Sequence, residues 1–170
     1  MNFRKAENRD IPEIIKIINA AQNYLRKEGI DQWQNNYPNS ETIREDIRQN
    51  NSYLIQQGKH IIATAAVIFA KDSTYDYIEA GEWITEGKYG VIHRAAVAEE
   101  YKGQDIMAEI FKNTYKLARS ENAESIRIDT HPENFAMKRA IEKESFKYCG
   151  IIYTSDGSER LAYEKIISNS

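Results

Sequence analysis

Hydrophobic residues recur at helical spacing near the start of the chain. This spacing predicts a helix that begins after Asp10, a residue that favours the N-cap, and ends near Gly29. Its apolar face comprises Ile11, Ile14, Ile15, Ile18, Ala21 and Leu25. A short strand at residues 3–5 is predicted before it. After a polar segment, Ser40 is the predicted cap of a second, shorter helix that contains Ile43 and Ile47.

Apolar runs bounded by turn residues predict the strands. SYLIQ (52–56) and HIIATAAVIFA (60–70) are separated by Gln57-Gly58-Lys59, which is typical of an antiparallel hairpin. Further strands are predicted at KYGVIHRAAV (88–97), SIRIDT (125–130), KYCGIIY (147–153) and RLAYEKII (160–167). A turn that contains Asp156-Gly157 joins the last two.

Two more helices complete the pattern. One follows residue 105, with Ile106, Ile110 and Leu117 on one stripe, and the other covers PENFAMKRAIEKE (132–144), with Pro132 in its first turn. The order is β-α-α-β-β-β-α-β-α-β-β. It predicts an α/β (α+β) fold with a mixed sheet, parallel where strands flank a helix. Neither repeats nor linker-like segments interrupt residues 1–170, so we predict a single domain.

Composition narrows the function classes. The net charge is -3, which argues against nucleic acid or an anionic membrane surface as the main partner. No apolar run approaches the ~18 residues of a membrane helix, and the N-terminus lacks a signal-peptide core, so a cytoplasmic protein is expected. Cys149 is the one cysteine, which excludes an intramolecular disulfide and a zinc knuckle. We expect no metal, and we expect Cys149 to be a buried thiol.

The segment EEYKGQDIMAEIF (99–111) lies between a strand and a helix. A helix N-terminus presents unpaired N–H groups and a partial positive charge, so it can hold a diphosphate if no side chain blocks the approach. Gly103 keeps that approach open, whereas the Asp105 carboxylate would repel phosphate. Alternatively, Asp105 is an N-cap that occupies the same donors itself. Both interpretations stay open.

The element order and this loop resemble the GNAT superfamily of acyl-CoA-dependent N-acyltransferases, from Phe3 to about Ile166. The family signature Gln/Arg-x-x-Gly-x-Gly/Ala corresponds here to Lys102-Gly103-Gln104-Asp105-Ile106-Met107. The segment QWQNNYP (32–38) resembles a bacterial subgroup that carries Gln-Trp-x-x-x-Tyr-Pro. The chain departs from the signature at Lys102, Asp105 and Met107.

The resemblance implies binding of acetyl-CoA as co-substrate and direct attack of an amine on its thioester. It places the acyl-pantetheine arm beside Ala96 and Val97, the diphosphate at residues 102–107, and Asn134 against the arm. Small residues on this strand would equally fill a packed sheet, and Asn134 could instead cap its helix. The implied acceptor is a small-molecule amine or an exposed amino group of a peptide.

Asp129, late in the strand SIRIDT, is where relatives often have an acidic residue that handles the acceptor ammonium. The alternative is a solvated charge or a partner for Arg127. His131 is a second candidate base, although a loop contact at the next helix is the favoured interpretation. The family's thiolate-protonating tyrosine corresponds to Ile141, which has no proton to donate. Tyr148 or Tyr153 could substitute for it.

The acceptor side is less defined. Trp33 and Tyr37 lie where the family builds its acceptor pocket, and they are either a binding wall or anchors for the connector. Glu82 is a further candidate for acceptor binding. Exposed edge strands would allow a homodimer. A rival hypothesis is a weakly active or inactive ligand-binding module, favoured by Asp105, Met107 and Ile141. Nucleotide binding is disfavoured because the loop lacks the Gly-rich nucleotide motifs.

Overall fold

A computed structural model describes residues 1–168. In this range, the order of strands and helices predicted from sequence is confirmed, with three short 3-10 turns added. The elements are β1 (Asn2–Lys5), α1 (Ile11–Lys27), α2 (Ser40–Arg48), β2 (Ser52–Gln57), β3 (His60–Ile68), β4 (Tyr89–Val97), α3 (Ile106–Ser120), β5 (Ser125–Thr130), α4 (Phe135–Lys143), β6 (Lys147–Tyr153) and β7 (Glu159–Ile166). The strands form a mixed sheet in the order β1-β2-β3-β4-β5-β7-β6.

The chain divides into two compact units, and residues 1–67 with 93–113 form the first. In it, β1, β2 and β3 pair antiparallel, with Phe3 opposite Ile55 and the predicted hairpin turn between Gln57 and His60. The apolar face of α1 packs with residues of α2, β2 and the end of β4. This core consists of Ala6, Ile11, Ile14, Ile17, Ile18, Ile43, Leu54, Ala96 and Ala98.

Residues 68–92 and 114–168 form the second unit. Tyr89–Val91 of β4 pairs parallel with Ser125–Arg127 of β5, as the intervening helix predicts. β7 then pairs antiparallel with both β5 and β6 and lies between them. A small aromatic and aliphatic core contains Tyr75, Val91, Ile152 and Ala162.

Two of the predicted helix starts are wrong in detail, whereas α1 begins directly after Asp10 as predicted. The cap of α2 is Asn39 rather than Ser40, and its side-chain oxygen accepts a hydrogen bond from the Thr42 backbone N–H at 3.1 Å. Pro132 precedes α4, which begins at Phe135 with Asn134 as its cap. Asn39 has the extended backbone of an N-cap residue and forms a reciprocal capping box with Thr42, whereas Ser40 is already the first helical residue.

Asp10 occupies the N-cap position of α1, but its side chain does not cap that helix. Its carboxylate accepts hydrogen bonds from Nη1 and Nη2 of Arg4 at 2.8 and 3.0 Å, and from the Glu7 backbone N–H at 2.8 Å. A full positive charge at the end of β1 outcompetes the helix N–H groups for this carboxylate. The prediction that Asp10 caps α1 is therefore wrong.

Other local predictions are confirmed. The turn between β6 and β7 closes with the Gly157 N–H on the Thr154 carbonyl at 2.9 Å, and Gly157 has φ +83°. Cys149 is buried, as expected. No helix within residues 1–168 has the length and apolar character needed to cross a membrane.

Candidate functional site

The loop between β4 and α3 has two residues in the left-handed backbone region. Gly103 has φ +78° and Asp105 has φ +57°. A Cβ at Gly103 would meet no atom within 4 Å, so its backbone conformation, rather than lack of space, favours glycine there. Asp105 occupies the signature position that is usually glycine. Aspartate tolerates this conformation better than most other residues, which explains how the loop keeps its shape.

The side chains around this loop leave its backbone exposed. The Lys102 ammonium lies 2.7 Å from a Glu99 carboxylate oxygen and 4.5 Å from the centre of the Tyr24 ring. Gln104 donates a hydrogen bond from Nε2 to the Glu100 carbonyl at 3.1 Å. Residues 102–105, which lead into the N-terminus of α3, are exposed. An exposed loop that leads into a helix N-terminus beside a lysine is the kind of site that can hold a diphosphate.

The beginning of α3 is anchored by the packing of its first residues. Ile106 is buried, and Met107 is half-buried. The Ala108 N–H donates to the Asp105 carbonyl at 3.1 Å, so the helical hydrogen bonding begins at the aspartate. Part of the Met107 side chain, which is larger than the glycine or alanine of the signature, is therefore buried by packing.

The end of β4 is closely packed. The Ala96 side chain is part of the core of the first unit, and Val97 is half-buried. The packing interpretation therefore holds for the Ala96 side chain, while the pairing of a cofactor arm with its backbone stays a prediction. Arg94, two residues earlier, has φ +53°, an uncommon conformation for a strand residue with a large side chain.

A charged cluster accounts for the position of Arg94. Its Nε and Nη2 donate to Oδ2 and Oδ1 of Asp46 on α2 at 2.7 and 2.6 Å, and Nη1 donates to the Tyr37 hydroxyl at 3.0 Å. Burial disfavours the charged guanidinium, but these bonds raise the pKa of Arg94 above its ordinary value. The cluster links β4 to α2 and to the connector before it.

The two aromatic residues of the connector differ in their contacts. Trp33 has φ +61° and packs against the core of the first unit, which supports its interpretation as an anchor. Tyr37 is 45% exposed, and its hydroxyl is bound to Arg94. Of the two, Tyr37 is the better candidate for contact with an acceptor.

Asp129 is half-buried near the end of β5, in the second unit. Its Oδ1 accepts a hydrogen bond from the Tyr75 hydroxyl at 2.5 Å. Its Oδ2 accepts no hydrogen bond from the part of the chain that the structure describes. A half-buried carboxylate with one oxygen held in place and the other available can bind an ammonium or accept a proton.

Arg127 is not the partner of Asp129, so that alternative is wrong. Its Nε donates to Oε1 of buried Glu164 at 3.1 Å, and Nη2 donates to the Thr85 carbonyl at 2.6 Å. The guanidinium lies 4.2 Å from the Trp83 ring centre and 3.9 Å from that of Tyr89. Stacking and ion pairing direct Arg127 towards β7 and away from Asp129.

His131 and Asn134 organise the turn before α4. Nδ1 of His131 accepts a hydrogen bond from the Glu133 N–H at 3.0 Å. A neutral imidazole has one nitrogen lone pair, and here that lone pair is engaged by the turn. The Asn134 side chain accepts from the Met137 N–H at 3.2 Å, so its capping role is confirmed. The structure favours structural roles for both residues.

The remaining candidates in the second unit are more dispersed. Ile141 is fully buried, so the position that corresponds to the family's tyrosine belongs to the core. Tyr148 is 54% exposed, with its ring edge against Tyr163. The Tyr153 hydroxyl donates to Glu79, a bond that raises the pKa of Tyr153 to about 12. Glu82 is exposed on the loop before β4.

Each unit thus contains part of the candidate set. The first contains Trp33, Tyr37, Ala96, Val97 and residues 102–107, and the second contains Glu82, Asp129, His131, Asn134 and Tyr148. Sequence analysis missed Tyr75 and Asp46. Tyr75 is an aromatic residue in the polar segment KDSTYDY (71–77), which is the one signal that could have drawn attention to it.

Comparison with known proteins identifies the family and the fold. Residues 16–146 match the model of the acetyltransferase (GNAT) family. A GNAT-family acetyltransferase from Streptococcus agalactiae is 30% identical, with a TM-score of 0.88 over 98% of this chain and 95% of that one. No curated protein sequence matches the chain.

Two further structures share the fold. A candidate acetyltransferase from Staphylococcus aureus is 24% identical, with a TM-score of 0.74 over 99% of this chain and 100% of that one. A ribosomal-protein-alanine N-acetyltransferase from Brucella melitensis is 16% identical, with a TM-score of 0.71 over 98% and 99% of the two chains. At these identities the likeness establishes the fold alone.

Proposed function

Because the chain belongs to the GNAT acetyltransferase family, we propose that it transfers an acetyl group from acetyl-CoA to a primary amine of a small molecule or peptide. The observation that carries the proposal is the exposed loop at residues 102–105, with left-handed Gly103 and Asp105 leading into the N-terminus of α3. Such a loop suits a diphosphate because several N–H groups point outward together.

Asp105 weakens this binding without abolishing it. Two unit charges 4 Å apart repel by about 1 kcal/mol in water and about 4 kcal/mol at an effective dielectric of 20. Asp105 is exposed, so the smaller value applies, which corresponds to roughly a fivefold loss of affinity.

Asp129 is the residue to which we assign the acceptor amine. Most amines are protonated at neutral pH, so the acceptor must be held and must lose a proton before its nitrogen can attack. Oδ2 of Asp129 binds the ammonium and takes the proton, directly or through a water. His131 is less suited because its lone pair is held by the Glu133 N–H.

Acetyl-CoA supplies a thioester whose carbonyl accepts the amine and whose thiolate is a good leaving group. Ile141 is buried and cannot protonate that thiolate, and no proton donor is required at this position because thiolates leave without help.

The test follows free thiol released when the protein is mixed with acetyl-CoA and a panel of primary amines. Asp129→Asn should lower kcat by about 10²–10⁴ and leave the affinity for acetyl-CoA unchanged. Glu142→Gln, which removes an exposed carboxylate on α4, is the control. Acetyl-CoA binding without thiol release for any amine would favour the binding-module hypothesis. Absence of binding would contradict both.

A further inference from the structure

Tyr75 is buried in the second unit, and its ring and backbone both make contacts that hold it in place. It is the last residue of a 3-10 turn (Ser73–Tyr75), and it is only 2% exposed. Its ring centre lies 5.2 Å from that of Trp83 and 6.4 Å from that of Tyr89. The Trp83 indole N–H also donates to the Tyr75 carbonyl at 2.9 Å. Both the ring and the backbone of Tyr75 are therefore held in place.

The Tyr75 hydroxyl is a constant donor to Asp129. Burial, and then the nearby Asp129 carboxylate, raise the pKa of Tyr75 well above its ordinary value. The hydroxyl therefore keeps its proton throughout the neutral range and donates to Oδ1 across 2.5 Å. A hydrogen bond from a fixed donor determines the rotation of a carboxylate about its last side-chain bond.

The charged neighbours of this pair are bound to other groups. Arg127 is engaged by Glu164 and the Thr85 carbonyl. The Asp72 side chain accepts from the Thr74 N–H at 3.0 Å, and its backbone N–H donates to the Tyr89 hydroxyl at 3.1 Å. Tyr75 is thus the side chain that orients Asp129 within this cluster.

We propose that Tyr75 is a positioning residue for the acetyl transfer: its hydroxyl holds Oδ1 of Asp129 so that Oδ2 faces the acceptor amine. This inference rests on the proposed function, in which Asp129 binds and deprotonates that amine. Tyr75 itself does not touch the reacting atoms. Without its hydroxyl, Asp129 can rotate, and misplacing a catalytic group by about 1 Å costs up to ~10² in rate.

Tyr75→Phe tests the proposal because it removes the hydroxyl and keeps the packed ring. With acetyl-CoA and either putrescine or an alanyl tripeptide as acceptor, kcat should fall about 10–100-fold, while KM for acetyl-CoA stays unchanged. Tyr115→Phe is the matched control, because the Tyr115 hydroxyl also donates to a carboxylate, that of Glu144 at 3.2 Å. It should leave both parameters unchanged.

A double-mutant cycle separates positioning from stability. If Tyr75 acts through Asp129, adding Tyr75→Phe to Asp129→Asn should lower kcat by less than about twofold further, because the two act as a unit. Equal losses from Tyr75→Phe in both backgrounds would overturn the proposal. Should Asp129→Asn lower kcat while Tyr75→Phe alone does not, the inference about Tyr75 fails and the proposed function stands.

A crystal structure of Tyr75→Phe gives a readout that needs no activity. The Asp129 carboxylate should be rotated or disordered relative to the wild-type protein, with the substituted aromatic ring in the same place as in the wild type. An unchanged carboxylate would contradict the inference. If Asp129→Asn retains full activity, it is the assignment of Asp129 in the proposed function that fails.

Discussion

Arg94 of β4 and Asp46 of α2 form a bidentate salt bridge, with N–O distances of 2.7 and 2.6 Å. Their side chains are only 13% and 10% exposed. The pair holds Arg94 at φ +53°, a conformation that a large side chain adopts only when its surroundings stabilise it. It therefore determines the shape of β4 immediately before Ala96 and Val97.

Asp46→Asn should destabilise the fold by about 3–5 kcal/mol, because it leaves a buried guanidinium without its counter-charge. Urea unfolding followed by circular dichroism measures the loss. Arg48→Gln is the control, since it breaks an exposed pair with Glu45 on the same helix and should leave the unfolding midpoint unchanged. Equal midpoints for all three proteins would show that the Arg94–Asp46 pair contributes nothing.

Substitution of Asp105 separates charge from backbone conformation. Asp105→Asn removes the carboxylate and keeps a residue that tolerates φ +57°, whereas Asp105→Gly also relaxes the backbone. Both should bind acetyl-CoA about fivefold more tightly in calorimetry, since about 1 kcal/mol of repulsion disappears.

The alternative role of Asp105 gives a different result. If its carboxylate fills the anion site as an N-cap, the wild-type protein should not bind acetyl-CoA, and Asp105→Gly should restore binding. If neither variant differs from the wild type, Asp105 has no influence on the loop, and Met107 becomes the next residue to change.

The Arg4–Asp10 pair should make stability depend on pH. The hydrogen bond from Arg4 holds the pKa of Asp10 below its ordinary value, so its stabilisation is present above the unfolded-state pKa near ~4. That stabilisation is lost as the pH falls through the lowered folded-state pKa. Asp10→Asn should therefore cost about 1–3 kcal/mol at pH 7 and less at pH 2.

Urea unfolding of the wild type and Asp10→Asn at both pH values measures this difference. Glu13→Gln, which removes an exposed partner of Lys16, serves as the control and should behave like the wild type at pH 7. A loss of the same size at pH 2 and pH 7 would mean that packing, rather than charge, explains the effect of Asp10.

The Cys149 thiol should be inert in the folded protein. Burial raises its pKa to about 11, so very little thiolate is present at pH 8. Ellman's reagent should detect no thiol in the native protein and one per chain in 6 M guanidinium chloride, with Cys149→Ser as the blank. Fast native reaction would contradict its burial, and it would also add background to a thiol-release assay.

Most of the fold could be predicted from sequence because its elements have strong periodic patterns. The hairpin at residues 57–59, the strand SIRIDT and the helix after residue 105 all follow from apolar spacing and turn residues. Helix starts were less predictable. Asn39 and Ser40 are both good caps by residue type, and the backbone conformation of Asn39 decides between them.

The site could be predicted only in part. The signature loop, Asp129 and the connector aromatics stand out in the sequence, as does the departure at Ile141. The alternatives for Arg127 and His131 could not be settled there. Glu164 is 37 residues from Arg127 along the chain, so their pairing is not visible as a local pattern. Every residue except proline has a backbone N–H, so the amino-acid type of Glu133 does not reveal that its N–H binds His131.

The element order, the family resemblance and the loop before α3 can be inferred from sequence, because they depend on local spacing and on residues that lie next to one another. Which side chains share a hydrogen bond depends on how the chain folds in three dimensions. Tyr75 and Asp129 are 54 residues apart and Asp46 and Arg94 are 48 apart, so no periodicity relates them. Such pairs form because sheet and helix packing bring distant donors and acceptors together in a partly dry interior, where an unpaired charge would cost several kcal/mol.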